Sequence, residues 1–190
     1  MLINTSPATN GGYITAFVLN DLGTASGGDI NNVASFTATD PDGAGSGQPF
    51  ALLSGSTSSI SIKASPFGVF DIGASLSGGD FYGGGGSPSQ GIGVGESATF
   101  TFNVTGTNLL NLSQASLEAA LSDGLGGRNS FFVVRFRGFQ NDGSDKVPAM
   151  PDDAPLPLRS RSRTGDDHDG PHRLDPAGSH GLASPRQAIA

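Results

Sequence analysis

The side chains best suited to chemistry in this sequence are carboxylates, guanidinium groups and a few aromatic rings, in short local groupings. Two groupings bring carboxylates close together, Asp40-Pro41-Asp42-Gly43 and Asn141-Asp142-Gly143-Ser144-Asp145. Calcium takes about six to eight oxygen ligands, which makes Asp40, Asp42, Asp142 and Asp145 its candidate ligands, although neither run has the spacing of an EF-hand loop. Asp and Gly are also the ordinary material of type I turns, which is the competing reading. Arg135 and Arg137 fall on one face of an extended chain, where their planar forks suit a carboxylate or a sulfate; a solvated face paired with nearby Asp or Glu is the plainer use. Tyr82, with Tyr13 and Phe81, offers ring faces to a sugar, or packs inside a core or loop.

The remaining groupings are weaker. Gly83-Gly84-Gly85-Gly86-Ser87 lacks the Lys-Ser/Thr and the following helix of a phosphate-binding loop, so it reads as a flexible connection. His168, His172 and His180 sit among Asp166, Asp167 and Asp169, a composition that suits only an adventitious metal site without order around it. Before Lys146 the chain has no His, no Cys and only Glu96 and Glu118 as glutamates. A hydrolase working through two aspartates remains formally open, since such sites need a pair at a set separation, but nothing selects a pair. The chain therefore reads as non-catalytic, with no cofactor indicated beyond calcium.

Composition sets the frame for these residues. All twelve Phe and both Tyr lie at or before Phe139, whereas all three His and seven of the twelve Pro follow Lys146. Residues 1–146 carry eleven Asp/Glu against five Lys/Arg, an acidic balance that argues against nucleic acid and anionic membrane as partners. No apolar stretch approaches the roughly 20 residues of a spanning helix. The absence of Cys removes disulfides and thiolate metal sites and fixes no compartment.

The elements that must position the candidates are mostly strands. Tyr13–Leu19, Val33–Thr39, Ser59–Ala64, Phe67–Ile72, Ala98–Val104 and Phe131–Phe139 are short runs of β-branched and aromatic residues bounded by Gly, Asn, Asp and Pro. Period two is clearest where Phe100, Phe102 and Val104 oppose Thr99, Thr101 and Asn103, and where Phe132, Val134 and Phe136 oppose Val133, Arg135 and Arg137. One helix is expected after Asn111, capped through Gln114 and stopped at Gly124. The Gly-rich stretch Ser77 to Gly95 reads as a long surface connection. The expected fold is all-β, an antiparallel two-sheet sandwich of jelly-roll or Ig/cohesin-like type over residues 1–146, with one short helix and a disordered tail over residues 147–190.

Several runs taken together carry a family likeness. Asn4-Thr5-Ser6 with Tyr13-Ile-Thr-Ala-Phe, Ser65-Pro-Phe-Gly-Val-Phe-Asp, Gly83-Gly-Gly-Gly-Ser-Pro-Ser-Gln-Gly-Ile, Gly95-Glu-Ser-Ala-Thr-Phe-Thr-Phe and Val134-Arg-Phe-Arg-Gly-Phe ahead of Gly143-Ser-Asp-Lys-Val-Pro resemble the secreted part of a PEP-CTERM, exosortase-sorted protein. The resemblance covers roughly residues 3–149. It implies export to the envelope of Gram-negative bacteria. The function expected there is that of a non-catalytic cell-surface or extracellular-matrix protein, with extracellular polysaccharide as the partner, a carbohydrate- or calcium-dependent binding module as the alternative and a carboxylate-based hydrolase behind both. Exosortase would be a partner only of an intact sorting segment.

The family pattern also sets expectations for both ends. A signal peptide and the start of the first strand would precede Leu2-Ile3, leaving the neighbouring strand without a partner. Pro151-Asp152-Asp153-Ala154-Pro155 stands where Pro-Glu-Pro and an apolar helix are expected. A shifted reading frame would account for this, because Thr164-Gly-Asp-Asp-His-Asp-Gly advanced by one nucleotide can encode Leu-Ala-Met-Ile-Thr-Met-Ala. A gene with no apolar stretch in that frame would leave a genuine acidic-basic linker.

Overall fold

An apolar run as dense as Tyr13 to Leu19 has to be covered on both sides, and that requirement organises the molecule. The computed structural model describes residues 1–21, 28–39, 50–53, 62–76, 78, 80–82 and 86–149. The chain divides into two units, Met1–Ala154 and Pro155–Ala190, and every described residue belongs to the first. Asp40, Asp42, the three His and the expected tail from Met150 onward lie outside the described residues.

The described strands are β1 (Leu2–Ile3), β2 (Gly11–Leu19), β3 (Asp29–Ala38), β4 (Phe50–Leu52), β5 (Ile62–Lys63), β6 (Val69–Phe70), β7 (Ile72–Leu76), β8 (Ser97–Ala98), β9 (Phe100–Thr107), β10 (Phe132–Phe139) and β11 (Ser144–Pro148). A single α-helix among the described residues, α1, spans Gln114–Ala119. The fold is all-β, antiparallel and sandwich-like. Its main sheet has the order β11-β10-β2-β7-β4, and antiparallel ribbons β3-β9 and β1-β8 supply a second layer through the stretch 97–107 that they share.

β2 is the central strand, and its two faces enter different cores. Ile14 and Phe17 join Phe50, Ala74, Leu76, Ile92 and Ala98, with phenylalanines of β3 and β9 packed against them. Phe17 lies 4.6 Å from Phe100, 6.2 Å from Phe102 and 5.7 Å from Phe132, ring centroid to ring centroid. Each such aromatic pair adds about 1 kcal/mol beyond the area it buries. On the opposite face Ala16 and Val18 meet Ile62, Ala64, Phe70, Phe81 and Val133.

A bulge lets Ile14 and Ala16 face opposite ways although they are two residues apart. Ala16 pairs with Arg135 and Ile14 with Phe136, which leaves Thr15 as the extra residue in the ladder. Thr15 is 1 % exposed, and its Oγ1 has no hydrogen-bond partner.

Asn4 ties the start of the chain to this core. Its Nδ2 donates to the carbonyls of Gly12 and Ile92 at 2.9 Å each, and its Oδ1 accepts from the Ser6 N–H at 3.1 Å. The Asn4 N–H donates to Glu96, and its carbonyl accepts from Gly95. A fully buried amide side chain is tolerated because its polar groups are paired in this way.

Several expectations need correction. Ser77–Gly95 is not simply a surface connection, because Phe81 and Ile92 are fully buried and Ile92 exchanges two 3.0 Å backbone hydrogen bonds with Ile14. The Phe67–Ile72 run divides into β6 and β7, and β7 continues through Gly73, Ala74 and Ser75 to Leu76, buried at every position. Small residues suit it because the Phe17 carbonyl would collide with any Cβ on Gly73. The helix is capped by Ser113, whose Oγ accepts from the Ser116 N–H at 3.1 Å, and it ends at Ala120, short of Gly124. β8 has a partner, since Leu2 pairs with Ala98 and Ile3 with Ser97. β11 carries the sheet past Lys146 to Pro148, and Ala149 still donates to the Phe132 carbonyl at 2.8 Å.

Candidate functional site

The β10–β11 hairpin brings most of the described candidates together. In register, Val133 faces Pro148, Arg135 faces Lys146 and Arg137 faces Ser144, while on the other side Arg137 faces Tyr13 of β2. Directly opposed residues in an antiparallel pair share a face, with Cβ atoms about 5 Å apart. Arg135, Arg137 and Lys146 therefore stand on one face, next to the core that contains Val133 and Phe81.

The loop bearing Tyr82 closes over this face. Arg135 Nη1 donates to the Phe81 carbonyl at 2.8 Å and also to the Tyr82 carbonyl. The Tyr82 hydroxyl donates to the Ser65 carbonyl at 3.3 Å, its ring stands edge-on to Phe81, and the Lys146 ammonium lies 4.8 Å from the ring centroid. Burial lowers the pKa of Arg135, and the charge of Arg137 lowers it further, while Asp80 and Tyr82 oppose both effects. Tyr82 is 39 % exposed, but buried Phe81 does not offer its ring beside it.

The tip of the same hairpin forms a cleft of about 510 Å³ lined by Thr9, Asn10, Phe139, Gln140, Asn141, Gly143, Ser144 and Asp145. Gly12, at φ +93°, leaves room for the Phe139 ring to lie against the backbone, and that ring stacks on Phe136 at 6.1 Å. Asp142 adopts a left-handed φ of 56°, a turn conformation that Asp tolerates. Asn141 Oδ1 accepts from Gly143 N–H at 3.0 Å, and Asp145 Oδ1 accepts from Lys146 N–H at 2.7 Å. Asp142 thus sits in the hairpin turn and Asp145 in β11, and among the described residues no three His, Cys, Asp or Glu side chains converge as a metal site.

Sequence reasoning missed the amide-rich lining of this cleft. Thr9 and Asn10 come from a turn, Gln140 and Asn141 from the hairpin tip, and no spacing rule joins positions that far apart. It also missed Lys146 as a third cation, because β11 was not recognised as a strand.

Another open cleft holds carboxylates that single-sequence reading did not connect. Asn20, Asp21, Asp71 and Asp123 line about 410 Å³ of space beside the end of α1. Each carboxylate accepts from a backbone N–H: Asp71 from Asp21 at 3.0 Å, Asp21 from Ile30 at 3.1 Å and Asp123 from Val69 at 3.1 Å. Burial raises the pKa of Asp71, and its bond from Asp21 opposes the rise. Glu96 is likewise a backbone acceptor, from Gly93 at 2.7 Å.

Comparison with known protein families, curated proteins and solved structures returns no match. Among the described residues, no helix is long and apolar enough to cross a membrane.

Proposed function

We infer that this domain is a non-catalytic module of an exported cell-surface or extracellular-matrix protein, and that it engages extracellular polysaccharide at the tip of the β10–β11 hairpin. The observation that carries this reading is the lining of the tip cleft, where Asn10, Gln140 and Asn141 gather around Thr9, Ser144 and Asp145 beside the Phe139 ring. Side-chain amides both donate and accept, which is the chemistry that a surface of sugar hydroxyls demands. The likeness of residues 3–149 to exosortase-sorted proteins supplies the extracellular setting.

The test is affinity electrophoresis of the full chain in gels containing dextran or polygalacturonate. Retardation by at least one polymer, reduced about fivefold in Asn141→Ala, supports the reading, since a lost neutral hydrogen bond is worth about 1 kcal/mol. Unchanged mobility in both gels rejects it, and release of shortened sugars would make the protein a hydrolase, with the Asp21–Asp71–Asp123 cleft as the first place to look.

Calcium dependence is the second reading, carried by Asp142 of the tip turn and Asp145 at the start of β11, three residues apart in the chain. A site of this kind raises the melting temperature as calcium is added, because the ion binds the folded chain alone. A melting temperature unmoved by calcium removes this alternative.

A further inference from the structure

The folded region is acidic, yet its few cations are gathered. Of the five Lys and Arg in residues 1–146, Arg135, Arg137 and Lys146 occupy adjacent register positions on one face of one hairpin. Arg135 and Arg137 lie roughly 7 Å apart along the strand, at about 3.4 Å per residue. Arg135 stands directly across from Lys146. Like charges opposite one another destabilise a strand pair, so the arrangement runs against what pairing alone favours. Departures of this kind from local consistency concentrate at functional sites.

The carbonyls of Phe81 and Tyr82 hold Arg135, and the ring of Tyr82 receives the Lys146 ammonium. Both are neutral groups. Asp80 acts favourably on Arg135, while Arg137 acts against it. An anion placed across the face would lessen the repulsion between Arg135 and Arg137.

The face is also continuous with the tip cleft, because Ser144 lines the cleft and is the register partner of Arg137. A chain of sugars leaving the cleft along the hairpin would pass Arg137 first and then the Arg135–Lys146 pair beside Tyr82. A partly exposed aromatic ring next to guanidinium groups suits a ligand that has both apolar ring faces and acidic substituents.

We propose that the face formed by Arg135, Arg137, Lys146 and Tyr82 binds the acidic groups of an anionic polysaccharide, so that the hairpin selects acidic over neutral glycans. This rests on the glycan-binding reading of the tip cleft and adds its selectivity. Carboxylate and sulfate share the chemistry that these cations recognise.

The full chain is titrated with polygalacturonate, dextran sulfate, uncharged dextran and single-stranded DNA, with circular dichroism confirming the fold of each variant. The expected result is binding of an acidic glycan in preference to dextran and DNA, weakened about tenfold in Arg137→Gln and about fivefold in Lys146→Gln. Arg137→Lys should recover part of the loss. Binding should fall away in about 1 M salt, where the screening length is about 3 Å. The stronger of the two acidic polymers identifies carboxylate or sulfate as the preferred group. Equal affinity for dextran overturns the selectivity and leaves glycan binding standing. Equal affinity for DNA, or an acidic glycan held unchanged by both Gln variants, also overturns it, and failure to bind any of the three glycans rejects both readings.

Discussion

The two faces of β2 are covered in different ways. On the face of Phe17, the cover is a second β-layer, in which Phe36, Phe100 and Phe102 repeat at strand spacing and pack ring against ring. On the face of Ala16 and Val18, the cover is the pair of two-residue strands β5 and β6, with Phe70, a few loop residues that include Phe67, and Phe81, delivered by a Gly-rich segment. Periodic packing builds a layer whose chief task is stability. The irregular cover leaves the end of its face open, and there the sheet carries Arg135, Arg137 and Lys146 instead of more core.

The sharpest test of this contrast is Phe17→Ala. Loss of a ring that touches three others should cost about 4 kcal/mol, measured as a lower urea midpoint with an unchanged slope. Phe81→Ala should cost somewhat less, about 3 kcal/mol, because fewer rings surround it, and it should also weaken acidic-glycan binding by loosening the carbonyls that hold Arg135. A folded Phe17→Ala protein should keep that binding. If both variants lose stability but neither or both lose binding, the division of labour between the faces is wrong.

Smaller changes probe the strand between the faces. Thr15→Val removes a buried hydroxyl that has no partner and should stabilise the fold by about 1 kcal/mol. A lower melting temperature for this variant would mean that the bulge depends on the hydroxyl.

The smallest effect concerns pH. Burial raises the pKa of Asp71 above 3.8, so the folded chain holds that proton more tightly than the unfolded chain does. Its contribution to stability is complete below the unfolded value and is lost as pH rises through the folded one. Asp71→Asn cannot ionise, and its melting temperature relative to the wild type should be highest above this window and should fall as the solution is acidified through it. A constant difference across that range would contradict the shift.

This contrast also decides how much could be read from sequence. The Phe17 face was legible because Phe100, Phe102 and Phe132, Val134, Phe136 announce a buried face by period two alone. The opposite face depends on Phe81, and the margin of the Phe17 core on Ile92, each a single apolar residue inside a segment whose glycines signal exposure. β7 was hard to extend because Gly73, Ala74 and Ser75 lack the β-branched signature, although close packing against Phe17 and Val18 is what calls for small residues. The pairing of Arg135 with Arg137 on one face followed from strand period. Their meeting with Lys146 and Tyr82 required β11 and the folded loop, neither of which has a local signature.

Asn4 gives the first residues of the chain a dynamic role. Its side chain and backbone join its own segment to Gly12, Ile92, Gly95 and Glu96, so departure of Asn4 breaks the bonds to all of these stretches at once. In a hydrogen-exchange experiment the amides of Asn4, Ser6, Ile92 and Gly95 should therefore lose protection at one common rate, as a single opening unit. The first residues of the chain would then act as a latch on the stretch from Ile92 to Glu96, opening together with it.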